Sequence, residues 1–529
     1  MKLIYKTITS VAIATSTAIF GLAMKVEAMT FTSGGLTTTQ GDVAMKANIA
    51  RSRFNVNGSG VKVGIISDSF NNLNGAVSDV ASGDLPTNFS VIQDMPSGGS
   101  DEGRALAQII HDVAPGAELI FHTSGFSPVE FSNAIFTLAD AGVDLIVFDV
   151  ASPFDPMFQD GIVAQAIDTV ASRPGASAVS FFAAGGNQGS LSYESPFNPS
   201  GVFEPIFGGE LHDFDPGPEV DTFQQIKLPQ GEAATISFQW LAPYLLADGS
   251  GGAPNDLDIW LYDSSATNVL ASSTEDNIGL NPVELLDFLN EEGSTSELFN
   301  LAISNNSGPI PGLIKYVVDA GRDFQINEFN TASGTIVGNP NANGALTVGA
   351  ARYTQTPAFG VDPAQPEFFS SAGGSPILLD PDGNPLATPE IRRKPEVIAP
   401  DGVNTTFFGL DIPEDTDNFP NFFGTSASVA HVAAVAALML EANPNLDPET
   451  IYSILQETAL DMDDPDTPGF DRGFDFATGY GLIDAVGALN AARTLNTPTE
   501  SVPEPSSALG LLVFSALGAV FIIKNNPKK

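Results

Sequence analysis

The chain repeatedly pairs a short apolar run with a longer stretch in which apolar residues recur every third or fourth position. Residues 61–70, VKVGIISDSF, hold Val61, Val63, Ile65 and Ile66 in a nearly continuous apolar run that ends in Ser and Asp. That pattern predicts a buried parallel strand delivering Asp68 at its C-terminal end. A polar turn then leads into an apolar helix that starts near Glu102 and stops at Pro115. Strand patterns follow at 117–124 (AELIFHTS), 143–152 (VDLIVFDVAS) and 176–190 (ASAVSFFAAGGNQGS), with helical patterns at 127–142 and 159–175 between them. Strand and helix in alternation predict an α/β fold with a doubly wound parallel sheet. Ligands in such sheets bind beyond the carboxyl ends of the strands. Asp68, Asp149 and Asn187 all fall at those ends.

The texture changes between about 195 and 335. Alternating segments such as TISFQW (Ile236, Phe238, Trp240) and DLDIWLYD (Leu257, Ile259, Leu261) lie between turns rich in Gly, Pro, Asn and Asp, the pattern of a β-sandwich. Helical periodicity is nearly absent there until NPVELLDFLNEEG, residues 281–293, which reads as a helix. The α/β pattern returns with 343–353, 393–403 and the long Ala/Val helix of 426–446, followed by a further helix at 447–459. One α/β domain is therefore split by an inserted β-rich, sandwich-like domain. The expected organisation is a signal peptide at 1–28, a lead-in at 29–60 with helical pattern, α/β blocks at 61–194 and 336–495 around an insert at 195–335, and a tail at 496–529.

Composition narrows the function classes. Asp and Glu outnumber Lys and Arg 63 to 21, a formal charge of −42, which argues against a nucleic-acid or anionic-membrane partner. The chain has no Cys, so disulfides, thiolate metal sites and cysteine nucleophiles are excluded. Lys2 and Lys6, an apolar stretch from Val11 to Met24 and a small-residue stop near Ala28 form a secretory signal. At the other end, Pro503-Glu504-Pro505 precedes an apolar run and then Lys524, Lys528 and Lys529. The run is short for a full membrane span and could also be a tail anchor. The complete string resembles the PEP-CTERM sorting tail of exported proteins in Gram-negative bacteria. That resemblance implies an exosortase-type sorting partner, membrane tethering until the tail is processed, and a cell-envelope or extracellular location.

Candidate chemistry centres on Gly424-Thr425-Ser426, at the start of the Ala/Val helix. A Ser there has its hydroxyl at the positive end of the helix dipole and a backbone N–H free to face a developing oxyanion. The same residue could serve simply as a helix cap. Six motifs in order, GSGVKVGIISDS, HDVAPGAELI, FFAAGGNQG, NGALTVGA, KPEVIAPDGV and GTSASVAHVAAVAAL, resemble the subtilisin-type serine peptidases over roughly 45–190 and 335–490. The resemblance implies a peptidase acting on protein or peptide substrates, with Ser426 as nucleophile, Asp68 as acidic triad member and Asn187 as the side-chain half of the oxyanion hole. Glu102, in DEGRALA, occupies the position where that family carries its general-base His.

A carboxylate in that place resembles the sedolisins, acid-active relatives that use a Ser-Glu-Asp triad. Their Asp partner four residues after the Glu is here Leu106, and their oxyanion Asp is here Asn187. None of the four histidines is a better base: His111 lies on the far face of its helix, His431 matches a structural His, His212 belongs to the insert, and His122 ends a strand. Physically a carboxylate within reach of Ser426 can take its proton, and two carboxyls at one site share a proton rather than both ionise. Asp68 is one such neighbour and Asp149 the second candidate, though a strand-end Asp in a turn is equally an ordinary structural feature. No cofactor is required for this chemistry. The acidic stretch 461–475, DMDDPDTPGFDRGFD, offers hard oxygen donors suited to a structural calcium ion, or is a solvated acidic loop. The rival reading is a catalytically silent surface or matrix protein that uses the insert for adhesion or binding.

Overall fold

The computed structural model describes residues 34–496 apart from 247 and 466. The expected signal peptide (1–28) and nearly all of the expected sorting tail (496–529) therefore lie outside the described residues. The lead-in forms two short helices, α1 (Gly41–Ala44) and α2 (Ala47–Phe54), broken by Lys46 at φ 63°. The first α/β block then runs β1 (Lys62–Ser67), α3 (Ala76–Ser82), β2 (Ser90–Gln93), α4 (Glu102–Val113), β3 (Glu118–Thr123), α5 (Pro128–Asp140), β4 (Leu145–Phe148), α6 (Ile162–Ala171) and β5 (Ser180–Ala184).

Among the described residues the insert follows as eleven strands: β6 (Ser192–Ser195), β7 (Pro199–Phe203), β8 (Glu210–His212), β9 (Gln224–Lys227), β10 (Ala233–Trp240), β11 (Asp256–Tyr262), β12 (Val269–Ser273), β13 (Val283–Leu289), β14 (Leu298–Ser307), β15 (Ile314–Ala320) and β16 (Gln325–Ile326). The second block holds β17 (Ala345–Arg352), a hairpin of β18 (Pro376–Leu379) and β19 (Pro385–Ile391), β20 (Val397–Asp401), and helices α7 (Thr425–Ala442), α8 (Pro448–Glu457) and α9 (Ala485–Asn496).

Seven strands form one sheet in the order β2-β3-β1-β4-β5-β17-β20, and every neighbouring pair is parallel. Side chains alternate between its two faces. Val63, Ile65, Leu145, Val147 and Phe182 face a core with α4, α7 and α9, whereas Ile66, Ile146, Phe148 and Phe181 face α5 and α6. The result is a three-layer α/β/α domain of subtilisin-like fold. Helix α7 runs through the first core with its residues from Thr425 to Met439 buried. Its Ala-rich sequence lets it approach the sheet closely, and being apolar on all sides it suits a fully enclosed helix.

The insert folds as two antiparallel sheets, β13-β10-β15-β6 and β12-β11-β14-β8-β7, with β9 also pairing to β14. Ile236, Phe238 and Trp240 from one sheet meet Leu257, Ile259 and Leu261 from the other in a separate core. Residues 281–293, expected to be helical, instead supply strand β13, paired with β10. The reason lies in the partners: Glu284 and Leu286, two residues apart, share the buried face of β13 opposite Phe238 and Ile236 of β10, while Leu285 and Asp287 turn to the other face. The period of two, set by pairing with β10, overrides the helical spacing.

Candidate active site

Three strand ends and one helix start define the site. β1 and β4 are adjacent, with Ile66 level with Phe148, so Asp68 and Asp149 emerge side by side. Ser67 donates its hydroxyl to Asp149 Oδ2 at 3.2 Å, and the other Asp149 carboxyl oxygen is buried without a donor. The Asp68 carboxylate accepts from the Ser100 N–H at 2.5 Å, the Ser100 hydroxyl at 2.7 Å and the Glu102 N–H at 3.1 Å. Asp68 thus grips the backbone entering α4 and fixes where the Glu102 side chain begins.

Sequence reasoning passed over the network behind this turn. Asp101, fully buried at φ 60°, accepts from the Asn72 N–H at 2.7 Å, the Leu73 N–H at 3.0 Å and Arg104 Nη2 at 3.1 Å. Arg104, itself 2% exposed, also pairs with Asp79 and lies with its guanidinium 3.6 Å from the Phe407 ring centre. The available signal was the Asp101/Arg104 pair three residues apart at a helix start.

The Glu102 carboxyl lies beside the Ser426 hydroxyl and the Asp149 carboxyl, and both neighbours favour its ionised form. Burial outweighs both and, helped by the Asp68 charge, raises Glu102 above the usual carboxylate range. Asp149 is pushed well above its ordinary value, first by burial and then by the Glu102 charge. Two raised carboxyls thus lie side by side, each holding the other's charge in check.

Ser426 is 7% exposed, at the first turn of α7. Gly424 precedes it at φ 122°, a conformation that favours glycine, and its N–H donates to Asp401 at 2.9 Å. Asp401 is a second residue that sequence reasoning left without a role. Asn187 accepts at Oδ1 from the Thr425 N–H at 3.0 Å and the Thr425 hydroxyl at 3.2 Å. A backbone N–H can only donate, so the amide orientation is set and Nδ2 turns toward the cleft. Helix N-terminal N–H groups lack intrahelical acceptors, which leaves the Ser426 N–H and Asn187 Nδ2 as a pair of donors beside the hydroxyl.

The histidines are engaged elsewhere. His431 contacts the Ala427 carbonyl and the Thr39 hydroxyl, each at 2.8 Å, and burial lowers its pKa to about 4. His122 contacts the Thr123 carbonyl at 2.7 Å, and His212 the Tyr193 hydroxyl at 2.9 Å within the insert. His111 is also held below its ordinary value by burial.

The insert walls the cleft. Ser237 donates to the Pro153 carbonyl at 2.5 Å, and Gln239 bridges the Met157 N–H at 3.0 Å and the Asp155 carbonyl at 2.9 Å. A cavity of about 330 Å³ lies between Ala151, Asp155, Gly186, Ser237 and Asp319, and a neighbouring one of about 340 Å³ between Asn187, Arg322, Phe368 and Phe423. In the acidic stretch 461–475, Asp464, Asp471 and Asp475 each bring one oxygen within 4.8 Å of the others, a donor set of the hard kind calcium takes. Asp475 already accepts from the Ala477 and Thr478 N–H groups and the Thr478 hydroxyl.

A parallel sheet of this order, with a serine at the start of the buried helix, defines the subtilisin-like class. Residues 268–481 match the subtilase family (peptidase S8), a segment that contains Ser426 and leaves out Asp68, Glu102, Asp149 and Asn187. The chain is 33% identical over 144 residues to the subtilisin-like protease SBT1.4 of Arabidopsis thaliana, covering 25% of this chain and 17% of that protein. It is 34% identical over 130 residues to SBT4.7 of the same plant, covering 23% of this chain and 16% of that protein. The match thus spans about a sixth of the length of these curated relatives. Among solved structures, the CspB protease of Clostridium perfringens superposes with a TM-score of 0.52 at 12% identity, over 86% of this chain and 99% of that one, a likeness of fold. A segment of the chain therefore matches the subtilase family, and the chain has a subtilisin-like fold.

Proposed function

We propose that this chain is an exported serine-type endopeptidase that hydrolyses peptide bonds with a carboxylic-acid dyad in place of a histidine. The observation that carries the reading is the Glu102 carboxyl, in side-chain contact with both Ser426 and Asp149. In the working state Glu102 is ionised and Asp149 keeps its proton. That proton turns the buried, unpartnered Asp149 oxygen into a donor toward the Glu102 carboxylate.

Ser426 Oγ attacks the peptide carbonyl carbon as its proton passes to Glu102. The carbonyl oxygen becomes an oxyanion held by the Ser426 N–H and Asn187 Nδ2. Glu102 then returns the proton to the leaving amine, giving an acyl-serine. Water repeats the cycle: Glu102 takes its proton, the hydroxide adds to the ester carbonyl, and Ser426 leaves reprotonated. Asp68 serves by holding the turn that presents Glu102 and by adding negative charge that favours uptake of the proton.

Protein or peptide substrates would lie along the cleft that the insert walls. The N-terminal signal and the Pro-Glu-Pro tail support export and tethering at the cell envelope of a Gram-negative type bacterium until an exosortase-type enzyme acts. A calcium ion at Asp464, Asp471 and Asp475 would have a structural role. The test is covalent labelling by a fluorophosphonate, located by peptide mapping. Label on Ser426 that is lost in Ser426→Ala and slowed about 10²–10⁴-fold in Glu102→Gln supports the reading. Labelling indifferent to Glu102→Gln refutes the dyad, and no labelling leaves the adhesive reading of the same scaffold.

A further inference from the structure

The cavity of about 330 Å³ beside the site is built by three separate parts of the chain. The turn after β4 supplies Ala151, Ser152 and Asp155, the turn after β5 supplies Gly185 and Gly186, and the insert supplies Thr235, Ser237, Val317 and Asp319. Alternation along the strands decides the last group. On β10 and β15, Ile236, Phe238, Tyr316 and Val318 enter the sandwich core, so Thr235, Ser237, Val317 and Asp319 turn outward. They stand opposite one another, Thr235 level with Asp319 and Ser237 with Val317. The outer face of the insert thus forms one wall of the cavity, fastened to the α/β domain by the Ser237 and Gln239 hydrogen bonds.

Two acids and no base line this space. Asp155 is 7% exposed. Its Oδ2 accepts from the Ser152 N–H at 3.1 Å, and among the described residues no donor reaches Oδ1 and no cation offsets the charge. Burial raises this carboxyl to about 6. Asp319 stands at the exposed rim, its carboxyl raised by partial burial and eased by the Gln188 side chain alone. A buried carboxylate without a cationic partner is costly, and a cation brought beside it favours its ionised form. Met157, Val317, Val337 and Pro340 give the same cavity apolar walls. Lys and Arg match both kinds of surface, since each carries an apolar stem that ends in a positive head.

The position of the cavity indicates which substrate residue enters it. Asn187, one of the two oxyanion donors, directly follows Gly186 in the cavity wall. A carbonyl held at Asn187 belongs to the residue on the acyl side of the bond being cut, and that residue's Cα is bonded to the carbonyl carbon. We propose that this cavity receives the side chain of the residue whose carbonyl Ser426 attacks, and that Asp155 and Asp319 select lysine or arginine there. The inference rests on the peptidase reading above and adds the class of peptide bond that is cut. One of the two selecting acids, Asp319, comes from the insert, so the insert takes part in substrate choice.

The test uses the full chain carrying Ser426→Ala, so that nothing is turned over, and two fluorescent hexapeptide acids of identical composition. In one peptide Lys is the last residue and norleucine stands near the middle; in the other the two are exchanged. Norleucine has the apolar stem of lysine without the ammonium group. Identical composition is needed because a chain with a formal charge of −42 attracts any cationic peptide from a distance. Binding is followed by fluorescence anisotropy.

The peptide ending in Lys should bind about 10–150-fold more tightly than its isomer, and this preference should fall toward equality in Asp155→Asn and in Asp319→Asn. Asp319 is exposed, so its substitution leaves the fold in place, and binding of the peptide ending in norleucine shows whether the cleft of each variant is intact. A parent chain that does not tell the isomers apart, binding both alike or neither, overturns the proposal, as does a preference unchanged in both Asp variants. A fluorophosphonate has no side chain to enter the cavity, so its reaction with Ser426 in the wild type separates this proposal from the mechanism. Labelling without a Lys preference refutes the role of the cavity and leaves the dyad standing. A Lys preference without labelling refutes the dyad and leaves the cavity selective for cations.

Discussion

Replacing Asp149 by Asn keeps an amide N–H that can donate to Glu102 but removes the group that titrates. In the proposed mechanism, Glu102 must be ionised to accept the Ser426 proton, and burial raises it even though Ser426 and Asp149 favour its ionised form. Asp149 must keep its proton, and burial with the Glu102 charge holds it well above the ordinary range. Acylation of Ser426 should therefore follow a bell in pH: an acid limb from Glu102, and an alkaline limb where the pair becomes two facing carboxylates. Asp149→Asn should abolish the alkaline limb and leave the acid limb in place. Asp149→Ala also removes the donor. A hydrogen bond to a charged group contributes about 1.5–3 kcal/mol, so the alanine variant should acylate about 10–150-fold more slowly at the optimum, with its acid limb moved to higher pH. The assay is the second-order rate of fluorophosphonate labelling from pH 4 to about 10, which needs no knowledge of the natural substrate. An alkaline limb unchanged in Asp149→Asn would refute the reasoning, because Asp149 would then not be the proton holder.

Three further outcomes follow from the geometry. Asn187→Ala removes one of the two oxyanion donors and should lower kcat by about 10²–10³-fold while circular dichroism and Tm stay close to wild type, since Asn187 is exposed. Gly424→Ala adds a Cβ at φ 122°, 3.3 Å from Asn187 Nδ2; it should displace both the nucleophile turn and the oxyanion residue, and the labelling rate should fall more than Tm does. Arg104→Met leaves the buried carboxylates Asp79 and Asp101 without their cation and should destabilise the fold by about 3–5 kcal/mol, read by chemical denaturation. Activity lost in proportion to unfolding would confine Arg104 to holding α4 in place.

Much of the architecture could be read along the chain because it depends on local periodicity. Apolar runs that stop at Asp68, Asp149 and Asn187 mark strands buried on both faces, and their ends do lie at the carboxyl edge of the parallel sheet. The Ala/Val run after Ser426 could only be an enclosed helix, and the alternation of Ile236, Phe238 and Trp240 could only be a strand with one face in a core. Residues 281–293 depart from the expected helix for the same reason. VELLDFL carries both periods, and its strand state is chosen by the β10 neighbour with which it pairs.

Which strand ends stand together was left to the tertiary structure. Glu102 and Asp149 are on separate elements, and they meet because β1 pairs with β4 in the register that sets Ile66 beside Phe148, while the Asp101–Arg104–Asp79 network fixes the start of α4. The sequence by itself determined the periodic elements and the residue types at their ends, because backbone periodicity and burial act over a few residues. Contacts between carboxyls, and hence which of them keeps a proton, were decided only when long-range strand register and core packing brought those ends within hydrogen-bonding distance in a medium too dry to leave them independent.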